Sequence, residues 1–298
     1  MITFHVFYYW VASLAILVVW YGVLALLRLP GAWRWPGLLM PLAAGALSFR
    51  CLGWYIANGH VTPGNWLAGT GPQTLTRFIV DIGLREETVK LLFALPCLLW
   101  LRGSRSNSSP LLISAAVGLG FAFEENRWYL AAHAEPPLLI GRLLGATLLH
   151  TMLTGLAGSG LARAFTMERR AGPALIITLL LAAGAHGLYD WAPVSRITWL
   201  NAGGTSWLSI IVLITVVAWF FTAYRQTALV KARLHAALTW LSIGVFCQLA
   251  AALVLAFSAQ GSQTSAIVCL RECSIFIPVM ASLVMALRSS SSDTIKPL

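Results

Sequence analysis

The segment 76–102 has the length and apolar character of a membrane span, yet it contains five ionisable side chains. Its sequence, TRFIVDIGLREETVKLLFALPCLLWLR, holds Asp81, Arg85, Glu86, Glu87 and Lys90. Each charge at the centre of a membrane helix costs roughly 2.5–3.5 kcal/mol on insertion scales, whereas a Leu, Ile, Phe or Val returns only about 0.3–0.6 kcal/mol. The helix must therefore be enclosed by its neighbours, and its charges are candidates for a functional site inside a bundle.

The spacing of these charges places them on one side of a helix. Residues four apart share a face, so Glu86 and Lys90 can form an ion pair, and Glu87 lies about 100° further round the axis. Two carboxylates and an ammonium therefore face the interior. Two interpretations are open at this point: a reactive cluster, or a buried ion network that fixes how the helices pack.

Three later apolar segments contain polar side chains of the kinds that perform acid–base or metal chemistry. The segments are GLGFAFEENRWYL, LLHTMLTGLAGSG and AGAHGLYDW, and their polar members are Glu124, Glu125, Asn126, His150, His186 and Asp190. With a helical rise of about 1.5 Å per residue, all of these side chains fall in the same half of the membrane as Glu86. We therefore expect one shared polar site built from four consecutive helices.

The chain as a whole has the composition of a polytopic membrane protein. Of its 298 residues, 58% are hydrophobic and only 10% are charged, and the mean hydropathy is +0.78. This composition is far from that of a soluble domain. Apolar segments long enough to cross a hydrocarbon core of about 30 Å recur throughout. We predict an all-α transmembrane helix bundle of about nine spans: 4–27, 38–57, 75–101, 110–132, 138–165, 173–191, 206–224, 236–258 and 265–287.

The basic residues predict the orientation of the bundle. Short loops rich in Lys and Arg stay in the cytoplasm, and here such residues concentrate in alternate loops and in the C-terminal tail: Arg28, Arg34, Arg102, Arg105, Arg163, Arg169, Arg170, Arg225, Lys231, Arg233, Arg288 and Lys296. The N-terminus is therefore expected outside and the C-terminus inside. The net charge of +10 is then a topology signal with some affinity for anionic membrane lipids, and we expect no nucleic-acid partner.

The ordered motifs resemble those of a known protease family. EETVK (Glu86, Glu87, Lys90), GFAFEEN (Glu125, Asn126), His150 and HGLYD (His186, Asp190) are similar to the EExxK, FxxxEN, H and HxxxD/N motifs of PrsW-family intramembrane proteases. That family lies within the wider clan of CAAX prenyl proteases and bacteriocin-processing proteins. The resemblance covers 75–192, so we predict one integral membrane domain, 1–298, with a catalytic core at 75–192 and additional C-terminal spans at 206–287.

Two motif positions separate the chain from the CAAX branch. That branch typically has Arg at the position of Lys90 and His at the position of Glu125, so the chain resembles PrsW more closely. The charges of Glu124 and Arg127 flank the second motif where apolar residues are expected. The choice between Glu124 and Glu125 as the site residue therefore stays open.

The resemblance implies hydrolysis of a peptide bond by a water molecule that a glutamate activates. By resemblance to the clan, Glu86 is the candidate base. Glu125, His150 and His186 offer a His₂Glu set of the kind that holds catalytic zinc and leaves one position open. The related CAAX branch resembles a metal-free, glutamate-dependent site instead. Both mechanisms, with Zn²⁺ and without it, stay open at the level of the sequence.

The remaining motif residues have supporting roles in either mechanism. Asp190, one turn from His186, is expected to orient that imidazole, and Asn126 to donate a hydrogen bond to the oxyanion or to the substrate backbone. Lys90 is expected to hold Glu86 or Glu87 in place. For Glu87 two roles stay open, a further ligand or a structural partner.

The resemblance also implies a substrate and a location. The expected substrate is a single-span membrane protein, such as an anti-sigma factor cut near its outer side, and the expected location is the bacterial inner membrane. A transporter or proton-coupled carrier is the alternative from another class, because carriers also place ionisable residues at mid-membrane. A CAAX-type protease-like protein and an inactive relative are further alternatives.

Overall fold

The computed structural model describes residues 2–27, 36–60, 72–100, 109–132, 136–165, 171–195, 206–227, 234–260 and 263–292. All regular structure within these ranges is helical, which confirms the predicted all-α fold. The α-helices are α1 (Ile2–Leu26), α2 (Leu39–Tyr55), α3 (Pro72–Arg77), α4 (Arg85–Trp100), α5 (Ser109–Ala132), α6 (Leu138–Gly141), α7 (Thr147–Ala164), α8 (Ala171–Val194), α9 (Trp207–Thr227), α10 (Leu234–Gln260), α11 (Gln263–Ser274) and α12 (Ile277–Ser292).

A π-helical turn, Ile56–His60, ends α2, and two further predicted spans are interrupted by a π-helical segment, called here the first and the second, where a continuous α-helix was expected. Phe78–Leu84 joins α3 to α4, and Arg142–Ala146 joins α6 to α7. A π-helical turn contains an extra residue, and such turns occur frequently at functional sites. Here the first and the second segment lie directly before polar residues of the predicted site, namely Glu86 on α4 and His150 on α7.

Five helices within the described ranges are long and apolar enough to cross a membrane: Leu39–Asn58, Leu138–Ala164, Gly172–Val194, Trp207–Gln226 and Ala236–Phe257. The pair Ala266–Ser274 and Ile277–Ala286, bent by 44°, makes a sixth if the two helices form one span. The predicted spans 75–101 and 110–132 are helical as well over their described residues, 75–100 and 110–132, but they carry the charges of the predicted site. The count of nine spans stays a prediction.

The orientation also stays a prediction. Most of the basic loop residues on which it depends lie outside the described ranges: Arg28, Arg34, Arg102, Arg105, Arg169, Arg170, Lys231, Arg233 and Lys296.

Helix α7 lies at the centre of the bundle. Nearly every residue from Thr147 to Gly160 is buried, as expected for a helix that is apolar or small on all faces. Its core side chains belong to a hydrophobic cluster that also includes Trp20 of α1, Phe220 of α9 and Leu283 of α12. Because α7 is enclosed on all sides, a polar side chain on it must be satisfied by neighbouring helices.

Glycines bring the helices that carry polar residues into backbone contact. A Cβ atom on Gly83, in the first π-helical segment, would overlap the Ala183 carbonyl oxygen of α8, and one on Gly187 would lie 2.5 Å from the Ile79 backbone. A Cβ atom on Gly118 of α5 would overlap the His150 carbonyl oxygen. Small residues at helix interfaces allow such close approach in membranes.

The contact at Gly187 yields a test of the packing. In Gly187→Ala, the new methyl group would clash with backbone atoms of Ile79, so we expect a loss of about 1–3 kcal/mol in the free energy of unfolding. Gly184 lies on the same helix, and a Cβ atom added there would have no neighbour within 4 Å. Gly184→Ala is therefore the matched control and gains up to about 1 kcal/mol from helix propensity. Thermal unfolding of each purified variant in detergent measures the two changes in stability. Equal midpoints for the two variants would contradict the close contact between Gly187 and Ile79.

Candidate active site

The eight predicted site residues meet in one network of hydrogen bonds and ion pairs. They come from four helices: Glu86, Glu87 and Lys90 from α4, Glu125 and Asn126 from α5, His150 from α7, and His186 and Asp190 from α8. The first π-helical segment packs against α8 through Gly83 and Gly187. Since Gly187 directly follows His186, this contact holds that imidazole beside the carboxylates of α4.

The ammonium of Lys90 is the centre of the network. It has no exposed surface, and it donates to Glu86 Oε2 at 3.3 Å and to Glu87 Oε1 at 2.9 Å. It also lies 2.7 Å from His150 Nδ1 and 4.1 Å from the centroid of the Phe121 ring. An ammonium has three protons, so each has one acceptor here.

The contacts of His150 determine its tautomer. Lys90 can only donate, so His150 Nδ1 is the acceptor of their hydrogen bond and the ring proton is on Nε2. Nε2 in turn donates to Glu125 Oε2 at 2.8 Å. A single imidazole thus connects the charged groups of α4 with the carboxylate of α5.

Glu87 is fully buried and satisfied on both oxygens. Its Oε1 atom accepts from Lys90 and from His186 Nδ1 at 3.0 Å, and its Oε2 atom accepts from Thr154 Oγ1 at 3.0 Å. Of the two roles left open for Glu87, this geometry favours the structural partner. It is also the contact that orients the imidazole of His186.

The other nitrogen of His186 faces the open side of the cluster. His186 Nε2 lies 3.3 Å from Asp190 Oδ2 and 3.7 Å from Glu86 Oε2. When the imidazole donates from Nδ1 to Glu87, a neutral ring has its lone pair on Nε2. Asp190 was expected to orient His186, and it lies beside Nε2, the same ring nitrogen that faces Glu86.

Glu125 and Glu124 point to different parts of the molecule. Glu125 accepts from His150 and from Arg142 Nη2 within the network. Glu124 pairs instead with Arg50 at 3.1 Å and with Arg127 at 2.9 Å. The structure therefore brings Glu125, and not Glu124, to the cluster.

Asn126 is completely buried. Its Oδ1 atom accepts from Arg142 Nε at 2.5 Å, and its Nδ2 atom donates to Thr147 Oγ1 at 2.8 Å. Since a guanidinium can only donate, the orientation of the amide follows from chemistry. The contacts of Asn126 are thus to the first residue of the second π-helical segment and to the first residue of α7, and its predicted donation to a substrate stays a prediction.

The sequence analysis did not select three residues of this network, Arg142, Thr147 and Thr154. Arg142 lies inside the predicted span 138–165, so the criterion applied to segment 76–102, a charge within an apolar span, would have found it. The two threonines left no such signal, because a threonine within a helix most often bonds to its own backbone.

The cluster opens at one end. The side chains of Lys90 and Glu87 have no exposed surface, whereas Glu86 is 13% exposed, Glu125 14% and Asp190 31%. The exposed fraction thus rises from α4 towards the C-terminal end of α8. Among the carboxylates of the network, the most accessible is therefore that of Asp190.

The charges of this network do not cancel. Its carboxylates are those of Glu86, Glu87, Glu125 and Asp190, and its permanent cations are Lys90 and Arg142. With both imidazoles neutral, these six groups carry a net charge of −2, and a proton on His186, whose two nitrogens both face carboxylates, would reduce it to −1. Burying such an excess is costly unless further positive charge compensates it.

Comparison with known proteins identifies the family. Residues 33–224, nearly two thirds of the chain, match the model of the PrsW family intramembrane metalloprotease. The protein belongs to the PrsW family. No curated protein and no solved structure gives a significant match.

Family membership confirms the resemblance drawn from the motifs. A PrsW-family protein is a peptidase and a hydrolase of the membrane, and together with the apolar helices this makes the chain an integral membrane enzyme. The match extends beyond the predicted core, from the start of α2 to the end of α9.

The described residues contain a group that could hold the metal that the family description implies. Glu86, His150 and His186 each offer one ligand atom, and these atoms lie within 4.8 Å of one another. Two imidazoles and a carboxylate are a donor set suited to zinc, and the excess of carboxylates over permanent cations around them is compatible with a bound cation. The predicted set contained Glu125 in place of Glu86. Both nitrogens of His150 now hold hydrogen bonds, to Lys90 and Glu125, so one of these would give way to a metal.

Substitution of the neighbouring glutamates tests which of them belongs to the site. Glu125→Gln weakens the acceptor of the His150 and Arg142 protons, so we expect cleavage activity to fall about 10–100-fold, the usual cost of losing a group that orients a site imidazole. Glu124→Gln is the matched control, because it disturbs only the ion pairs with Arg50 and Arg127. Peptidase assays of both variants measure the loss. An equal loss of activity in the two would contradict the assignment of Glu125, and not Glu124, to the site.

Proposed function

We propose that the protein hydrolyses a peptide bond of a single-span membrane protein within the bacterial inner membrane, with Glu86 at the centre of the reaction. The observation that carries the proposal is the position of the Glu86 carboxylate. It is held by Lys90 at 3.3 Å, faces His186 Nε2 at 3.7 Å and is partly exposed. Its neighbour Glu87, by contrast, is fully buried and has no oxygen available for a reaction.

Peptide hydrolysis requires a base for the attacking water, positive charge near the developing oxyanion and a proton donor for the leaving amine. Two arrangements of this cluster meet the first requirement. In one, Glu86 accepts the proton of the water, and His186, between Glu86 and Asp190, passes a proton to the leaving amine. In the other, Glu86 holds a metal, and Asp190 is the accessible carboxylate that accepts the proton.

The second arrangement has more support. It requires Glu86, His150 and His186 to hold Zn²⁺, which supplies Lewis-acid activation of water and of the scissile carbonyl. Glu87 would orient His186 through Nδ1 and leave Nε2 available, which is the usual relation between a ligating imidazole and its outer carboxylate. The family description favours it, and the excess of carboxylates over permanent cations in the network is compatible with a bound cation.

Metal content and cleavage, measured on the same preparations, test the proposal and distinguish the two arrangements. We expect purified wild type to contain close to one zinc per chain and to cleave a single-span substrate. Glu86→Gln should lose both zinc and activity. Asp190→Asn should keep the zinc and lose activity about 10²–10⁴-fold, the usual contribution of a general base.

Each other outcome has a distinct meaning. Cleavage by metal-free wild type, abolished by Glu86→Gln, would establish Glu86 as the base without a metal. Activity that survives Glu86→Gln would contradict the proposed role of Glu86 in either arrangement. Wild type that folds and yet cleaves no candidate substrate would favour an inactive, binding relative. Glu124→Gln serves as the control for an acidic substitution outside the network.

The position of the scissile bond follows from the open end of the site. The cluster is exposed towards the C-terminal ends of α5 and α8 and the N-terminal part of α4. Under the predicted orientation, with the N-terminus outside, these ends lie in the outer half of the membrane. A single-span substrate, such as an anti-sigma factor, would then present a bond at or just beyond its outer interface.

Mass spectrometry of the cleavage products should therefore place the cut at the outer end of the substrate span. Inserting two or three leucines into the middle of that span should leave the cut at the same distance from its outer end. A topology reporter fused after residue 298 serves as the control for orientation. Cleavage confined to the cytoplasmic side, with the reporter inside, would contradict the proposed direction of access.

A further inference from the structure

Arg142 is the charged residue of the network that no motif contains. It is the first residue of the second π-helical segment, eight positions before His150, and it is buried. An arginine at this place in a span is costly. Packing alone does not require it, since apolar residues of similar volume often replace buried ion pairs without loss of stability.

The guanidinium contacts three residues of α5 at once. Arg142 Nη2 donates to Glu125 Oε2, and Arg142 Nε donates to Asn126 Oδ1 at 2.5 Å. Its central carbon lies 4.6 Å from the centroid of the Tyr129 ring. A planar group with several donors in a rigid arrangement is suited to such a contact, whereas the ammonium of a lysine is a single point of charge.

One hydrogen bond of Arg142 leads directly to His150, and the other leads to the helix that carries it. The oxygen of Glu125 that accepts from Arg142 is also the oxygen that accepts from His150 Nε2, at 2.8 Å. Asn126 continues through its amide to Thr147, one turn before His150 on α7. The location of the Glu125 carboxylate, and with it the orientation of the His150 ring, therefore depends on where the guanidinium lies.

We propose that Arg142 is a positioning residue of the protease: its two-point contact with Glu125 and Asn126 holds the His150 imidazole in the orientation that the reaction requires. The inference rests on the proposed function, because it assigns to His150 a role in peptide hydrolysis. Arg142 acts through Glu125 and contributes no group to the substrate. The site requires the planar arrangement of the guanidinium donors as well as their positive charge.

The variant Arg142→Lys separates geometry from charge. It keeps a cation near Glu125 but cannot donate to Glu125 and Asn126 in the same arrangement. We expect kcat to fall about 10–100-fold, the usual cost of losing a partner that orients a site ligand, while KM stays within about twofold and the thermal midpoint within a few degrees of wild type. Arg142→Gln, which removes the charge and keeps one amide donor, should show the same pattern with a larger loss in kcat.

Arg50→Lys is the matched control. Arg50 is an exposed arginine that pairs with Glu124, the neighbour of Glu125. The same exchange of a guanidinium for an ammonium there should leave kcat, KM and the thermal midpoint unchanged. If only one of the two Arg142 variants folds, its kcat and KM alone decide the test.

Three results would overturn the inference. If Arg142→Lys has the kcat of wild type, charge alone is sufficient. If its loss lies in KM, Arg142 binds the substrate and does not position His150. If neither Arg142 variant folds while Arg50→Lys does, Arg142 is required for the fold. A failure of the proposed function is distinguishable from all three, because wild type itself would then not cleave the single-span substrate.

Discussion

The structure depends on one buried ammonium. Lys90 has no exposed surface, and a charge removed from water is stable only when its protons all have acceptors. Glu86 and Glu87 come from its own helix, but the third acceptor, His150, lies on α7. This requirement fixes α4 against α7, and losing one partner of such a buried pair costs about 3–5 kcal/mol because the other charge is left uncompensated.

The network extends from Lys90 in two directions. On one side Glu87 fixes His186, whose other nitrogen faces Glu86 and Asp190 at the open end. On the other side His150 leads to Glu125 and Arg142. Groups that only donate alternate with groups that accept, so His150 has a ring proton on Nε2 and His186 has one on Nδ1. The buried residues of the network hold the two imidazoles in place. At its open end, the carboxylates of Glu86 and Asp190 stay accessible.

Close backbone contact makes this network possible. Short side chains such as those of Thr147 and Thr154 can reach across a helix interface, to Asn126 and Glu87, only when the helix axes lie near each other. The glycines at positions 83, 118 and 187 remove the methyl groups that would hold the helices apart. The burial of charge and the small residues therefore depend on each other: without the small residues, the polar side chains would be left without partners in an apolar medium.

The sequence by itself predicted the all-α fold, which the structure confirms, and eight motif residues on four helices, which the structure brings into one network, because a charge in an apolar span is tolerated only in an enclosed site. It did not determine the choice of Glu125 over Glu124, the contact of Glu87 with His186 or the position of Arg142. Sequence spacing predicts the depth of a residue and its face on a regular helix, but not how neighbouring helices rotate against each other. The π-helical segments Phe78–Leu84 and Arg142–Ala146 add to this, since their wider turns alter the faces that a period of about 3.6 residues predicts. Only the packing of the helices decides which carboxylate meets which imidazole.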